Sequence, residues 1–267
     1  MTALGNDAPI GVFDSGVGGL SVLHAIHSKL PEENLIYVAD SGNAPYGDRD
    51  AGFIAARATK ITELLLASGA KAIVVACNTV SVVAIEKLRS WCPIPVVAME
   101  PAIKPASQNT KTGVIGVLAT RQTIASPSVA RLCAAHGKNV EILLQPCPGL
   151  VEQVEKAELL SDASRALLLG YISPLLAAGA DTLVLGCTHY PFLAQLIRDI
   201  VGPDVAILDP AIAVAQQVER RLGDQRVSAP RARPAEARFF SSADPDDARA
   251  IISVLWGRNV TVQGIDW

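Results

Sequence analysis

A chain of 267 residues, half of them apolar and few of them aromatic, is long enough to bury one large core or two smaller ones. A net charge of −3 with scattered basic residues excludes the electrostatic footprint of a nucleic-acid binder, and no apolar run approaches the roughly 18 residues of a membrane span. Five cysteines without a CxxC pair argue against a disulfide scaffold and a zinc ribbon.

In chain order, the sequence predicts a strand at Ile10–Phe13, a helix at Leu20–Leu30, a strand at Leu35–Ala39, a helix at Phe53–Ala67 and a strand at Ala72–Ala76. A helix at Val80–Arg89 follows, then strands at Val96–Ala98, Val114–Leu118 and Glu141–Leu144. The pattern continues with a helix at Leu159–Ala178, a strand at Thr182–Leu185, a helix at Phe192–Ile200 and a strand at Val205–Leu208. Further helices and a strand at Asn259–Val262 complete it, while Arg231, Arg233 and Arg238, in a Pro-containing stretch, read as a solvated loop. Fully apolar strands alternating with amphipathic helices predict an α/β protein with mostly parallel sheets covered on both faces. Met1–Pro9 carries no basic patch followed by an apolar core, so no secretory signal is read and the cytosol is the expected compartment.

The chain also repeats itself. Ala67–Thr79, containing Gly69-Ala70 and ending Ala76-Cys77-Asn78-Thr79, reads closely like Ala177–His189, containing Gly179-Ala180 and ending Gly186-Cys187-Thr188-His189, 110 positions on. Ile10-Gly11-Val12-Phe13-Asp14 recurs as Ile115-Gly116-Val117-Leu118-Ala119 at an offset of 105. Two ordered pairs at nearly one offset predict a duplicated unit: two pseudo-symmetric three-layer α/β domains facing each other across a cleft. The expected crossings are near Met99-Glu100-Pro101 and Asp209-Pro210, which assigns residues 1–98 plus 209–267 to the first domain and 99–208 to the second.

Cys77 and Cys187 each fall just after a buried strand and just before a helix. That is the ligand-binding edge of a parallel sheet, where first-turn N–H groups favour an anion and lower a thiol's pKa. Cys92, Cys133 and Cys147 lack this paired context and read as small core hydrophobes. Two thiols on opposite faces of one carbon would invert its configuration, one removing a proton and the other supplying one, with coupled titrations. The loop Asp14-Ser15-Gly16-Val17-Gly18-Gly19 can bring backbone close to a carboxylate, but it lacks the Gly-Lys-Ser/Thr of a phosphate loop. Asp40–Asp48 reads by itself as an ordinary polar turn, and His189 is placed to relay a proton to Cys187.

Val12–Leu20, Ala44-Pro45-Tyr46-Gly47, Ala76-Cys77-Asn78-Thr79 and Gly186-Cys187-Thr188-His189-Tyr190-Pro191, in this order, resemble the signatures of the glutamate racemase family over nearly the whole chain. The resemblance implies interconversion of L- and D-glutamate for peptidoglycan without pyridoxal phosphate, metal or other cofactor. It also implies two domains with the site between them, and a homodimer; charge and apolar runs give no expectation of nucleic acid or membrane as partner. By the same resemblance Cys77 takes the α-proton from D-glutamate and Cys187 from L-glutamate, with Asp14 and His189 assisting. Glu155 matches a further acidic helper, Glu152 being the alternative. Asp14, Ser15, Pro45, Tyr46, Gly47, Asn78, Thr79, Thr188 and His189 match the substrate-binding positions. Gln122 stands where the family pattern has glycine, and the tyrosine expected shortly after Ser126 is absent, which questions the role of that loop. Nine residues before the first strand leave no expectation of regulation through an N-terminal extension. The rival readings are a racemase of the same superfamily acting on aspartate or a hydantoin, a two-lobed small-acid binding protein, and a thiol redox enzyme.

Overall fold

The computed structural model describes residues 7–224 and 235–265. Its elements run β1 (Ile10–Asp14), α1 (Leu20–Lys29), β2 (Leu35–Ala39), α2 (Ala51–Ala67), β3 (Ala72–Val75), α3 (Asn78–Trp91) and β4 (Val96–Ala98). Next come α4 (Ile103–Asn109), β5 (Val114–Ala119), α5 (Arg121–Ile124), α6 (Pro127–His136), β6 (Glu141–Pro146), α7 (Leu150–Glu155) and α8 (Asp162–Ala177). The chain then forms β7 (Thr182–Gly186), α9 (Ala194–Val201), β8 (Ala206–Leu208), α10 (Ala211–Asp224), β9 (Ala237–Ser241), α11 (Pro245–Trp256) and β10 (Val262–Gly264). One-turn 3-10 helices lie at Ser41–Asn43, Tyr46–Asp48 and Tyr190–Leu193.

Two sheets result, both wholly parallel, with strand orders β10-β9-β2-β1-β3-β4 and β6-β5-β7-β8. The duplication is visible in the pairing. Ile10 lies opposite Leu35 and Ala72, as Ile115 lies opposite Ile142 and Thr182. The first four strands of one sheet thus have their counterparts in the other, in the same order. Successive residues of a strand face opposite sides. Ile10 and Val12 pack with α1, α10 and α11, whereas Phe13 packs with α2 and α3. In the second sheet Ile115 and Val117 pack with α4 and α6, and Leu118 meets α7 and α8. The continuous apolar strands of the sequence follow from this burial on both faces.

Local chemistry sets the helix ends. Asp50, Ser126, Ser161 and Asp244 each accept a backbone N–H from the first turn of α2, α6, α8 and α11, and Pro127 and Pro245 occupy first-turn positions that need no donor. Ser161 therefore starts α8 at Asp162, three residues after the start expected at Leu159. The helix expected at Phe192–Ile200 begins instead as the 3-10 turn Tyr190–Leu193 and becomes α-helical at Ala194. Arg238 is not in a loop: it lies exposed on β9, whose Phe239 is buried between β2 and β10. Arg231 and Arg233 lie outside the described residues. The last strand is Val262–Gly264 rather than Asn259–Val262. No described helix is long and apolar enough to cross a membrane.

Candidate active site

The carboxyl ends of β1, β2 and β3 face those of β5, β6 and β7 across a cavity of about 260 Å³. Ser15, Pro45, Tyr46, Gly47, Cys77, Asn78 and Thr79 line it from one half, and Thr120, Val151, Cys187, Thr188 and His189 from the other. The lining contains no Arg or Lys.

Cys77 stands at the N-cap of α3, where its Sγ accepts the Val80 N–H at 3.5 Å and lies 3.7 Å from Ser15 Oγ. The expected lowering of its pKa is not found. Burial and the neighbouring Asp14 charge push the Cys77 thiol well above its ordinary range, outweighing the Val80 N–H and the Ser15 hydroxyl. Asp14 at the end of β1 is fully buried; its carboxylate takes Ser15 N at 2.7 Å and Thr188 Oγ1 at 3.0 Å. Burial raises Asp14 too, opposed by His189, Cys77 and Thr188.

Cys187 departs from its counterpart. It is followed by the 3-10 turn, held by Tyr190 N to Cys187 O and Phe192 N to His189 O, so no α-helix N-terminus faces this thiol. Pro191 in that turn lacks an N–H and favours the break. The charge comes from a side chain instead. His189 Nδ1 lies 3.7 Å from Cys187 Sγ, and its Nε2 is 2.6 Å from Glu155 Oε1. Burial works against a charged imidazole, but Cys187 and Glu155 outweigh it and hold His189 well above its usual value. The duplicated thiols thus have unlike neighbours, a carboxylate beside one and an imidazole beside the other.

Glu155, not Glu152, reaches this network. Its Oε1 also accepts the Val17 N–H at 2.7 Å, and its Oε2 accepts the Ser41 hydroxyl at 2.9 Å. Glu152 lies at the mouth with Pro45, Asp48, Arg121 and Cys147. The glycine-rich loop does approach a carboxylate closely, and that carboxylate is Glu155. A methyl group on Gly16 would sit 1.9 Å from Glu155 Oε1, and one on Gly18 would sit 2.2 Å from His189 Nδ1.

The turn after β2 is more than a polar connection. Asp40, fully buried, receives Arg57 Nε and Nη2 at 2.8 and 2.7 Å, the Asn43 amide at 3.0 Å and the Tyr46 hydroxyl. The Tyr46 phenol is therefore committed to Asp40, while Pro45 and Gly47 beside it line the cavity. Thr79 and Thr120 meet across the cleft at 3.0 Å. At the mouth Gln122 donates to Arg49 O at 2.7 Å and Arg121 pairs with Asp48 at 3.2 Å, so the loop that departs from the family pattern is tied to the opposite half. Asn78 Oδ1 is buried without a partner in the cavity wall. Arg57 and Ser41 were not singled out in the sequence. Among the described residues no group of three or more His, Cys, Asp or Glu side chains is arranged to hold a metal ion.

Two parallel α/β halves thus bring one cysteine each, from equivalent strand ends, to a single cavity. The family described as Asp/Glu/Hydantoin racemase matches residues 10–218, and the chain belongs to it. It is 50% identical over 259 residues to a glutamate racemase of Ectopseudomonas mendocina, covering 96% of this chain and 98% of that one. Among solved structures it is similar to glutamate racemase isoform RacE1 from Bacillus anthracis, with 30% identity, 98% of both chains covered and a TM-score of 0.87. It is also similar to the Escherichia coli glutamate racemase solved with L-glutamate and the activator UDP-MurNAc-ala, with 31% identity, 97% and 98% coverage and a TM-score of 0.85.

Proposed function

We propose that the chain interconverts L- and D-glutamate by proton transfer between two thiols, supplying D-glutamate for peptidoglycan. The observation that carries this reading is that Cys77 and Cys187, one from each half and at equivalent strand ends, line one small cavity. In the L-to-D direction Cys187, beside the His189 imidazolium, acts as the thiolate base on the α-proton, leaving the electron pair on Cα. The Cys77 thiol delivers its proton to the opposite face, ending as thiolate while Cys187 ends as thiol. The reverse reaction exchanges the roles, and Asp14 serves Cys77 as His189 and Glu155 serve Cys187. The raised pKa of Cys77 suits a substrate-free protein poised to accept L-glutamate, with its acid already protonated.

The substrate carboxylates would be met by backbone N–H groups and by neutral side chains such as Ser15, Thr79 and Thr188, there being no Arg or Lys in the lining. The unpartnered Asn78 Oδ1 is an acceptor for the α-ammonium group. The domains are taken as residues 1–98 with 209–267, and 99–208, because the strands of the two sheets divide at these points. The same reading makes the protein a cytoplasmic homodimer. Optical rotation of L-glutamate and of L-aspartate, each followed with purified protein in cofactor-free and metal-free buffer, tests the assignment. Glutamate rotation decays to zero while aspartate stays constant; a flat glutamate trace from folded, reduced protein removes the assignment.

A further inference from the structure

The geometry points to Ser41 as a positioning residue for the Cys187 side of the reaction, acting from the opposite half through Glu155 and His189. The inference rests on the two-thiol reading above. Glu155 belongs to α7 in the second half, yet two of its hydrogen bonds come from the first half: Val17 N–H to Oε1 and Ser41 Oγ to Oε2. The third partner is His189 Nε2, whose ring presents Nδ1 to Cys187. Val17 and His189 share one carboxylate oxygen, and Ser41 holds the other. Without Ser41 the carboxylate can turn about its terminal bond, and the angle it offers His189 is no longer fixed.

Ser41 is itself held firmly. It follows Asp40, which Arg57, Asn43 and Tyr46 fix in the buried knot at the end of β2. Its hydroxyl therefore meets Glu155 from a rigid base, the arrangement that orients a reacting group through its support. The titratable groups facing this relay are Cys187 at the end of β7, Asp14 at the end of β1, and Tyr37 of β2, which faces Glu155. The same turn lines the substrate cavity through Pro45 and Gly47.

The test compares full-length wild type, Ser41→Ala and Ser41→Thr by glutamate racemisation across pH, after wild-type activity has been established. Ser41→Ala is expected to lower kcat about tenfold or more, as the loss of a hydrogen bond to a charged group does, with KM for glutamate changed by less than about twofold. A loosened Glu155 supports the His189 imidazolium less, so the alkaline limb of kcat/KM moves to lower pH. Ser41→Thr, which keeps the hydroxyl, restores kcat to within about threefold of wild type and restores the limb. Wild-type kcat in Ser41→Ala, an unmoved alkaline limb, a change confined to KM, or a loss that threonine does not restore each overturns the role of Ser41. Inactivity of the wild type would instead overturn the racemase reading itself.

Discussion

Replacing Gly16 with alanine separates the fold from the chemistry. The added methyl would lie 1.9 Å from Glu155 Oε1 and 2.7 Å from its Cδ, so the carboxylate must leave its place. Gly16 does not have a positive φ, so the substitution brings no left-handed strain. What it meets is the far end of a flexible side chain that is already partly exposed. The fold therefore gives way cheaply, while Val17 N–H, Ser41 and His189 lose their shared partner. A hydrogen bond to a charged group contributes about 1.5–3 kcal/mol. Losing the support of His189, with some of the geometry around it, should raise the barrier by about 2–4 kcal/mol, or roughly 30- to 900-fold in kcat/KM. Polarimetric rates and thermal unfolding on the same preparation give the two readouts, with the melting temperature expected to move by only a few degrees. Gly170→Ala, on an exposed face of α8 with nothing within 4 Å of the new methyl, is the control. It should keep full activity and gain about 0.5–1 kcal/mol of stability. Near-wild-type kcat/KM in Gly16→Ala would refute the claim that Glu155 must occupy this position.

Cys77→Ser and Cys187→Ser should each abolish racemisation while circular dichroism and melting remain close to wild type; full activity in either would remove the two-thiol mechanism. Arg57→Ala leaves the Asp40 carboxylate buried without its bidentate cation. Unfolding in denaturant should show a loss of about 3–5 kcal/mol, and a loss below about 1 kcal/mol would mean the knot contributes little. Asp181 is lowered to about 2: burial opposes its charge, but Thr110, the N–H groups of Thr112 and Lys111, and Thr182 outweigh that. A depressed carboxylate stabilises the fold above its ordinary value of 3.8 and loses that contribution as pH falls toward 2. Asp181→Asn should therefore flatten the acid side of the stability profile in that window; an unchanged profile would contradict the assignment.

Much of this was legible in the residues. The strands β1, β2, β4 and β5 carry continuous apolar runs because helices cover both faces of each sheet, and the repeat of Gly-Ala, strand and cysteine reports the pseudo-symmetry directly. β9 was hidden because Ala237–Ser241 follows a Pro- and Arg-containing stretch, and its burial comes from β2, about 200 positions away in the chain. The environment of Cys187 could not be inferred from that of Cys77, since Pro191 alters the turn after the shared motif. The chemistry of Cys77 reversed an expectation for a different reason: a helix N-terminus lowers a thiol's pKa, but full burial beside Asp14 outweighs it. Ser41 and Arg57 matter only through Glu155 and Asp40, contacts that no local pattern reveals. The sequence favours Glu155 with Glu152 as the alternative, and it is Glu155 whose carboxylate reaches Val17, Ser41 and His189.

The most direct test of the central claim follows L-glutamate in deuterium oxide, with the isotope at Cα measured in both enantiomers before the reaction has proceeded far. Two opposed thiols predict that newly formed D-glutamate carries deuterium at Cα, delivered by an exchanged Cys77, while unconverted L-glutamate keeps its proton. D-glutamate that retains the original proton, or deuterium appearing at equal rates in both enantiomers, would contradict a two-thiol reaction at this site.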